Sequence, residues 1–256
     1  MPLLLWLSLL SVAGGQAAQK PDPEEIVRRS VELSQKDWKR VSDYDYFERE
    51  LDGSHSKTYQ VRMLLGSRYR RLIAVDDKPL SPEAQAREQR LYQKTLSDRE
   101  YETPEQRERR LAQHQKEISR QQPFLDQMLK AFDFTLAGQE TVASRRVYVL
   151  KAQPRRGYRP PNSRAKALTG MEGTLWIDTT DLRWVRVEAE VKRPVSIEGF
   201  VARVEPGTHF ELEQQPVEGE IWLPTRFVMR TRTKVLFMFS HKQQQDSTYY
   251  GYRKSR

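Results

Sequence analysis

Met171-Glu172-Gly173-Thr174-Leu175-Trp176-Ile177-Asp178 is the run that decides the fold. Its core-forming positions fall on every second residue, which is the period of a β-strand and not of a helix. Val217-Glu218-Gly219-Glu220-Ile221-Trp222-Leu223-Pro224 echoes it closely. Read as strands, both copies end in a turn and lead into a further β run. Either two strands resemble each other by chance, or a hairpin repeats within one continuous curved sheet.

The same period extends in both directions. Towards the C-terminus it predicts strands over 183–192, 197–204, 207–215, 217–223, 225–233, 235–243 and 247–253. Towards the N-terminus, Phe132 to Leu136 and Arg146 to Leu150 flank a turn. Further back, Tyr59, Val61, Met63 and Leu65 alternate with Thr58, Gln60 and Arg62. Asp52-Gly53 is a hairpin turn signal and Gly66 breaks the run, so three strands are expected near 43–51, 56–65 and 67–75.

Helical signals interrupt this β pattern twice. Asp22-Pro23-Glu24-Glu25 combines a capping side chain, a proline at the first helical position and a carboxylate in the first turn. Ile26, Val27, Val31, Leu33, Trp38 and Val41 then give a broad apolar stripe, which predicts a helix over 22–40. Ser81-Pro82-Glu83 and Thr103-Pro104-Glu105-Gln106 open two more helices. Residues 83–120 are densely charged with few large apolar side chains, which predicts solvent-exposed helices. Phe124, Leu125, Met128, Leu129 and Phe132 then form a short amphipathic segment that should pack on the core. The expected class is therefore α+β: a strongly curved antiparallel sheet with a charged helical insertion at about 81–131.

Residues 1–17 read as a signal peptide. Leu3 to Ala13 is apolar and uncharged, is shorter than the roughly 20 residues that span a bilayer, and ends in small residues around Gly15-Gln16-Ala17. Residues 18–256 then form one domain, periplasmic or secreted. The chain has no cysteine, so disulfides, thiolate chemistry and acylated cysteine anchors are excluded. Its net charge of +9 suits an anionic surface or a solvated exterior. Export excludes nucleic acid as the expected partner.

Gln139 to Val142 with Arg145 to Leu150 and Pro154, Gly173 to Asp178, and Glu220 to Pro224 resemble runs found in secreted bacterial proteins. Lys78-Pro79-Leu80-Ser81, Gly157-Tyr158-Arg159-Pro160-Pro161 and Ala202-Arg203-Val204-Glu205-Pro206-Gly207 resemble a group of uncharacterised ones. With the order helix, strands, helices, strands, the chain is similar to the LolA/LolB-type lipoprotein-sorting superfamily. That resemblance implies an unclosed β-barrel with helices on its concave side, and acyl chains bound between sheet and helices. The long insertion at 81–122 departs from the compact carriers.

Nothing in the sequence implies a cofactor, a metal or a catalytic centre. His55, His114, His209 and His241 are scattered and none has metal-ligand spacing. No nucleophile elbow or phosphate-cradling loop is present. The apolar sheet faces are more informative. Val61, Met63, Leu65, Leu175, Ile177, Val185, Val187, Phe227, Met229, Phe237 and Phe239 belong to faces that line either a packed core or a ligand cavity, and Met and Phe suit an adaptable pocket. Trp176 and Trp222 fall on the opposite face, as a partner patch or as shielding under a helix. The loop carrying Arg155, Arg156, Tyr158, Arg159, Arg164 and Lys166 has no acidic residue, and is either solvated or in contact with anionic headgroups. The leading expectation is a monomeric, non-catalytic binder or carrier of a lipid-like ligand or lipoprotein acyl chains, with peripheral membrane contact. A protein-interaction or envelope-sensing module with an envelope protein partner is the alternative, and an enzyme is the third reading.

Overall fold

A computed structural model describes residues 21–119, 122–197, 202–219, 221–235 and 239–255. The expected signal peptide, Phe237 and much of the strand expected at 197–204 lie outside the described residues.

The chain opens with α1 (Pro23–Lys39), capped by the Asp22 carboxylate, which accepts the Glu24 N–H at 3.0 Å. A 3-10 turn leads into a meander of β1 (Tyr44–Asp52), β2 (His55–Leu64), β3 (Ser67–Val75) and the two-residue β4 (Lys78–Pro79). Three helices follow: α2 (Pro82–Glu100), α3 (Pro104–Ser119) and α4 (Gln122–Ala131). Thr103 and Gln106 cap α3 reciprocally, each side chain accepting the other's backbone N–H. The second β region holds β5 (Phe132–Val142) and β6 (Arg145–Pro154). After a short α5 (Ser163–Lys166) come β7 (Met171–Asp178), β8 (Trp184–Val191), β9 (Val195–Ser196) and β10 (Ala202–Val204). The last three strands are β11 (His209–Val217), β12 (Ile221–Val235) and β13 (Phe239–Lys254).

The strands form one antiparallel sheet in the order β4-β3-β2-β1-β13-β12-β11-β8-β7-β6-β5, with β10 and β9 paired alongside the far half of β12. The ends β4 and β5 do not pair, so the barrel is unclosed. The α+β class and the curved open sheet stand as the sequence predicts.

The two echoed runs are not a repeat of one hairpin. Met171–Asp178 is a single strand. Val217–Pro224 straddles a turn: Val217 ends β11, Glu218 and Gly219 take φ of 51° and 73°, and Ile221 starts β12. The matched glycines serve different ends. Gly219 sits in a left-handed turn conformation. Gly173 lies flat in β7, where a Cβ would stand 2.8 Å from the Glu188 carbonyl oxygen. Of the expected strand 217–223, only the part from Ile221 is strand β12, and it runs on through the expected 225–233 without a break, because Pro224 is accommodated at a bulge opposite Glu213/Gln214.

The main core lies between the sheet and α1 with α4. Ile26, Val27 and Val31 from α1 and Met128 and Ala131 from α4 pack on Phe132, Phe134, Leu150, Leu175, Ile177 and Val187. Burying each large side chain contributes about 1.5–3 kcal/mol. By contrast α2 and α3 bury no residue fully. They serve the edge of the sheet. Glu88 accepts the Leu72 N–H at 3.3 Å, and Arg99 donates to the carbonyls of Leu64, Ser67 and Arg68 at 2.7, 3.0 and 3.3 Å. Occupying those backbone groups blunts an edge that would otherwise pair with another chain. No helix among the described residues is long and apolar enough to cross a membrane.

Candidate functional site: a two-sided cavity under the sheet

The concave face carries a cavity of about 710 Å³, walled by β1, β2, β3, β11, β12 and β13 and bounded by Trp38, Val41 and the α3 residues His114, Glu117 and Ile118. Alternation along the strands decides which side chains reach it. Phe227 and Met229 on β12 point inward beside their partners Leu212 and Phe210 on β11, and the Phe210 and Phe227 rings meet edge to face at 5.4 Å. Met63 on β2 and Tyr46 on β1 continue this apolar wall.

A bulge in β13 adds two tyrosines. Asp45 pairs with Arg253 and Phe47 with Tyr250, so β13 holds one residue more than β1 across this interval. Gly251 absorbs it with φ of 66°. Tyr249 and Tyr252, three apart, therefore both face the cavity while Tyr250 stacks on Phe47 outside. Tyr252 rests against Tyr46 at 5.2 Å and donates its hydroxyl to the Pro224 carbonyl at 2.7 Å. Burial pushes the Tyr46, Tyr249 and Tyr252 hydroxyls above the usual phenol range, so all three stay neutral donors.

The opposite side is charged. Arg70 lies between Glu48 at 3.1 Å and Glu50 at 2.7 Å, with its guanidinium 3.9 Å from the centre of the Tyr59 ring. Burial raises the Glu48 carboxyl, and the Arg70 cation opposes that rise. Arg68 lines the same side. His114 faces the Ser42 hydroxyl at 3.4 Å, and burial, followed by the Arg68 cation, lowers its pKa. The cavity is thus amphipathic: one wall is Phe, Met, Leu and Tyr, the other is arginine and glutamate. Among the described residues no group of three or more His, Cys, Asp or Glu is placed to hold a metal.

The residues singled out from sequence go to several places. Met63, Phe227 and Met229 come together around the cavity. Val61 is fully buried on the same face, beneath the cavity wall. Leu175, Ile177 and Val187 lie in the packed core under α1. Val185 faces the other way, because a bulge in β8 sets Trp176 opposite Arg186 but Ile177 opposite Trp184. One inserted residue reverses side-chain parity. Leu65 sits in the β2–β3 turn with φ of 48° and is exposed. The Phe239 backbone pairs with Val235, and its side chain, like that of Arg164, lies outside the described residues. Trp222 packs with Val147 and Val185 on the convex face, with Trp176 against it. The Arg145 and Arg186 guanidiniums cover the two indoles at 4.8 and 5.4 Å, so arginines and not a helix shield them. In the basic loop, Arg155 is bound to Asp133 at 2.6 Å and Glu24 at 2.8 Å, and Tyr158 donates to Gln127 at 2.9 Å. Arg156, Arg159 and Lys166 are exposed.

No family model and no curated protein matches this chain. Solved structures share its outline at low identity. A LolA superfamily protein from Nitrosomonas europaea is 13% identical, with 93% of this chain and 94% of that one covered and a TM-score of 0.32. A DUF1329 family protein from Desulfovibrio piger is 13% identical, with 91% and 94% covered and a TM-score of 0.31. The MucA/MucB complex from Pseudomonas aeruginosa matches at 12% identity, with 91% and 99% covered and a TM-score of 0.26. Superpositions this loose leave the fold resting on the strand order and registers above.

Proposed function

We propose that this protein is a non-catalytic binding or carrier protein for an apolar, lipid-like ligand, lipoprotein acyl chains included, acting in the periplasm or after secretion. One observation carries the reading. Met63, Phe210, Leu212, Phe227 and Met229 line a cavity of about 710 Å³ and all five are only half-buried, where a packed core would bury them. That volume lies inside the roughly 300–1,000 Å³ typical of small-molecule sites. An apolar chain would lie along the Phe and Met wall, and a polar end would meet the arginines and glutamates. A protein-interaction or envelope-sensing module is the second reading. It is favoured by α2 and α3, whose charged surface buries no residue fully.

Met229→Trp separates a cavity from a core. In an open cavity the added volume displaces ligand at little cost in stability. In a packed core it overpacks and destabilises by roughly 1–3 kcal/mol. Affinity for a fluorescent fatty-acyl probe and the denaturation midpoint are to be measured on both proteins. The carrier reading expects the wild type to bind and the variant to bind weakly with a near-unchanged midpoint. A wild type that binds no probe, with a clearly destabilised variant, would overturn it in favour of the interaction module.

A further inference from the structure

Two arginines line the charged wall of the cavity, Arg68 and Arg70. They stand two apart on β3 and share its concave face, yet their surroundings differ. The Arg70 guanidinium is taken up by Glu48 at 3.1 Å, Glu50 at 2.7 Å and the Tyr59 ring at 3.9 Å. Arg68 makes no ion pair among the described residues. Its polar neighbour is the Tyr46 hydroxyl, and Glu48 and Glu117 act on it only from beyond ion-pair distance. Its place along the wall matters as much. β2 sets Met63 directly opposite Arg68, so the unpaired cation abuts the apolar wall. Arg68 is also exposed although it lines the cavity, which places it where the cavity meets water.

A chain lying along Met63, Phe227 and Met229 would bring its polar end to that guanidinium. The carboxylates of the wall offer no matching site for a cation. Glu48 and Glu50 hold Arg70, and Glu117 accepts the Gln113 side-chain amide at 3.0 Å. A guanidinium presents a planar fork of donors that fits a carboxylate or a phosphate, and an anion would complete Arg68 as the glutamates complete Arg70. We propose that the cavity selects an amphiphile whose head is an oxyanion, a carboxylate or a phosphate, bound by Arg68 with the apolar chain along the Met and Phe wall. This rests on the carrier reading of the cavity and adds to it the charge of the ligand's head.

Binding of dodecanoate, dodecyl phosphate, dodecanol and dodecylammonium to the full chain, each below its micelle concentration, is to be measured by equilibrium dialysis. The two anions should bind roughly tenfold tighter than the alcohol, the factor that hydrogen bonds to a charged group supply, and the ammonium no tighter than the alcohol. The tighter of the two anions tells a carboxylate head from a phosphate. Arg68→Gln should weaken both anions roughly tenfold and leave dodecanol nearly unchanged. Arg68→Lys keeps the charge without the fork and should fall between; it keeps the test valid if the glutamine variant misfolds. Inorganic phosphate should not displace dodecyl phosphate, and displacement at equal concentration would overturn the proposal in favour of a small-anion site. An alcohol bound as tightly as the anions, an ammonium bound tightest, or an Arg68→Gln variant weakened equally for anions and alcohol overturns the oxyanion head while the apolar cavity stands. Binding of none of the four overturns the carrier reading, and the head assignment with it.

Discussion

Asp37 ties the first helix to the sheet, and its removal should be strongly destabilising. The carboxylate is 4% exposed and takes three donors: Arg183 Nε at 2.6 Å, Arg183 Nη2 at 3.4 Å, and the Trp222 backbone N–H at 3.2 Å. Asp37→Ala leaves the Arg183 guanidinium, whose side chain is 15% exposed, with only a 3.4 Å contact to the Asp181 carbonyl. It also leaves the buried Trp222 N–H without its acceptor. Breaking one side of a buried pair costs about 3–5 kcal/mol, and an orphaned buried donor about 1–3 kcal/mol. The two overlap, and Arg183 keeps some access to water, so about 3 kcal/mol is expected in total. Asp37→Asn keeps an acceptor for Trp222 and should cost about half as much. Urea unfolding followed by far-UV circular dichroism measures each midpoint. The double variant Asp37→Ala, Arg183→Met should cost clearly less than the sum of its parts, because it no longer strands a buried charge. Additive costs, or an Asp37→Ala variant within about 0.5 kcal/mol of wild type, the range of an ordinary surface change, would refute this account.

Three other expectations follow from the same structure. Gly251→Ala forces a side chain into φ of 66° and sets its Cβ 2.9 Å from the Phe47 ring; unfolding measurements should show a loss of about 2 kcal/mol. His114 has a lowered pKa, so the unfolded chain takes up that proton more readily than the folded one. Its contribution to stability should be present above the ordinary value of about 6.5 and fall away as pH drops below it. His114→Gln should flatten that limb of the stability profile, and an unchanged profile would place the pH dependence elsewhere. Met229→Trp should block acyl-probe binding with little loss of stability.

Much of the architecture was legible because period-two alternation survives in the sequence wherever one sheet face is buried. Val61, Met63, Phe227 and Met229 all point where alternation places them. What escaped is local. A bulge leaves almost no mark on composition, so Val185 and Val187 were assigned to one face although they lie on two. Tyr249 and Tyr252 were missed as cavity residues for the same reason, and only the Gly251 between them hinted at the inserted residue. Leu65 looked like the end of a strand because its left-handed φ belongs to a turn that Gly66 alone signals. The charged wall was missed for a different reason. Glu48, Glu50, Arg68 and Arg70 sit inward where an apolar residue would be expected, and their pairing appears only once β1, β2 and β3 are laid side by side.

The place of β13 in the sheet has a consequence for biosynthesis. Tyr44 pairs with Lys254, so the seam between β1 and β13 joins segments from opposite ends of the sequence. Until β13 leaves the ribosome, the meander from β1 to β4 has no strand to link it to the rest, and β1 and β12 each present an unpaired flank. At roughly 5–20 residues per second that interval lasts long enough for a chaperone to bind. β13 is the last of the sheet's strands to be made, so the β1–β13 seam cannot close until every other strand has been synthesised.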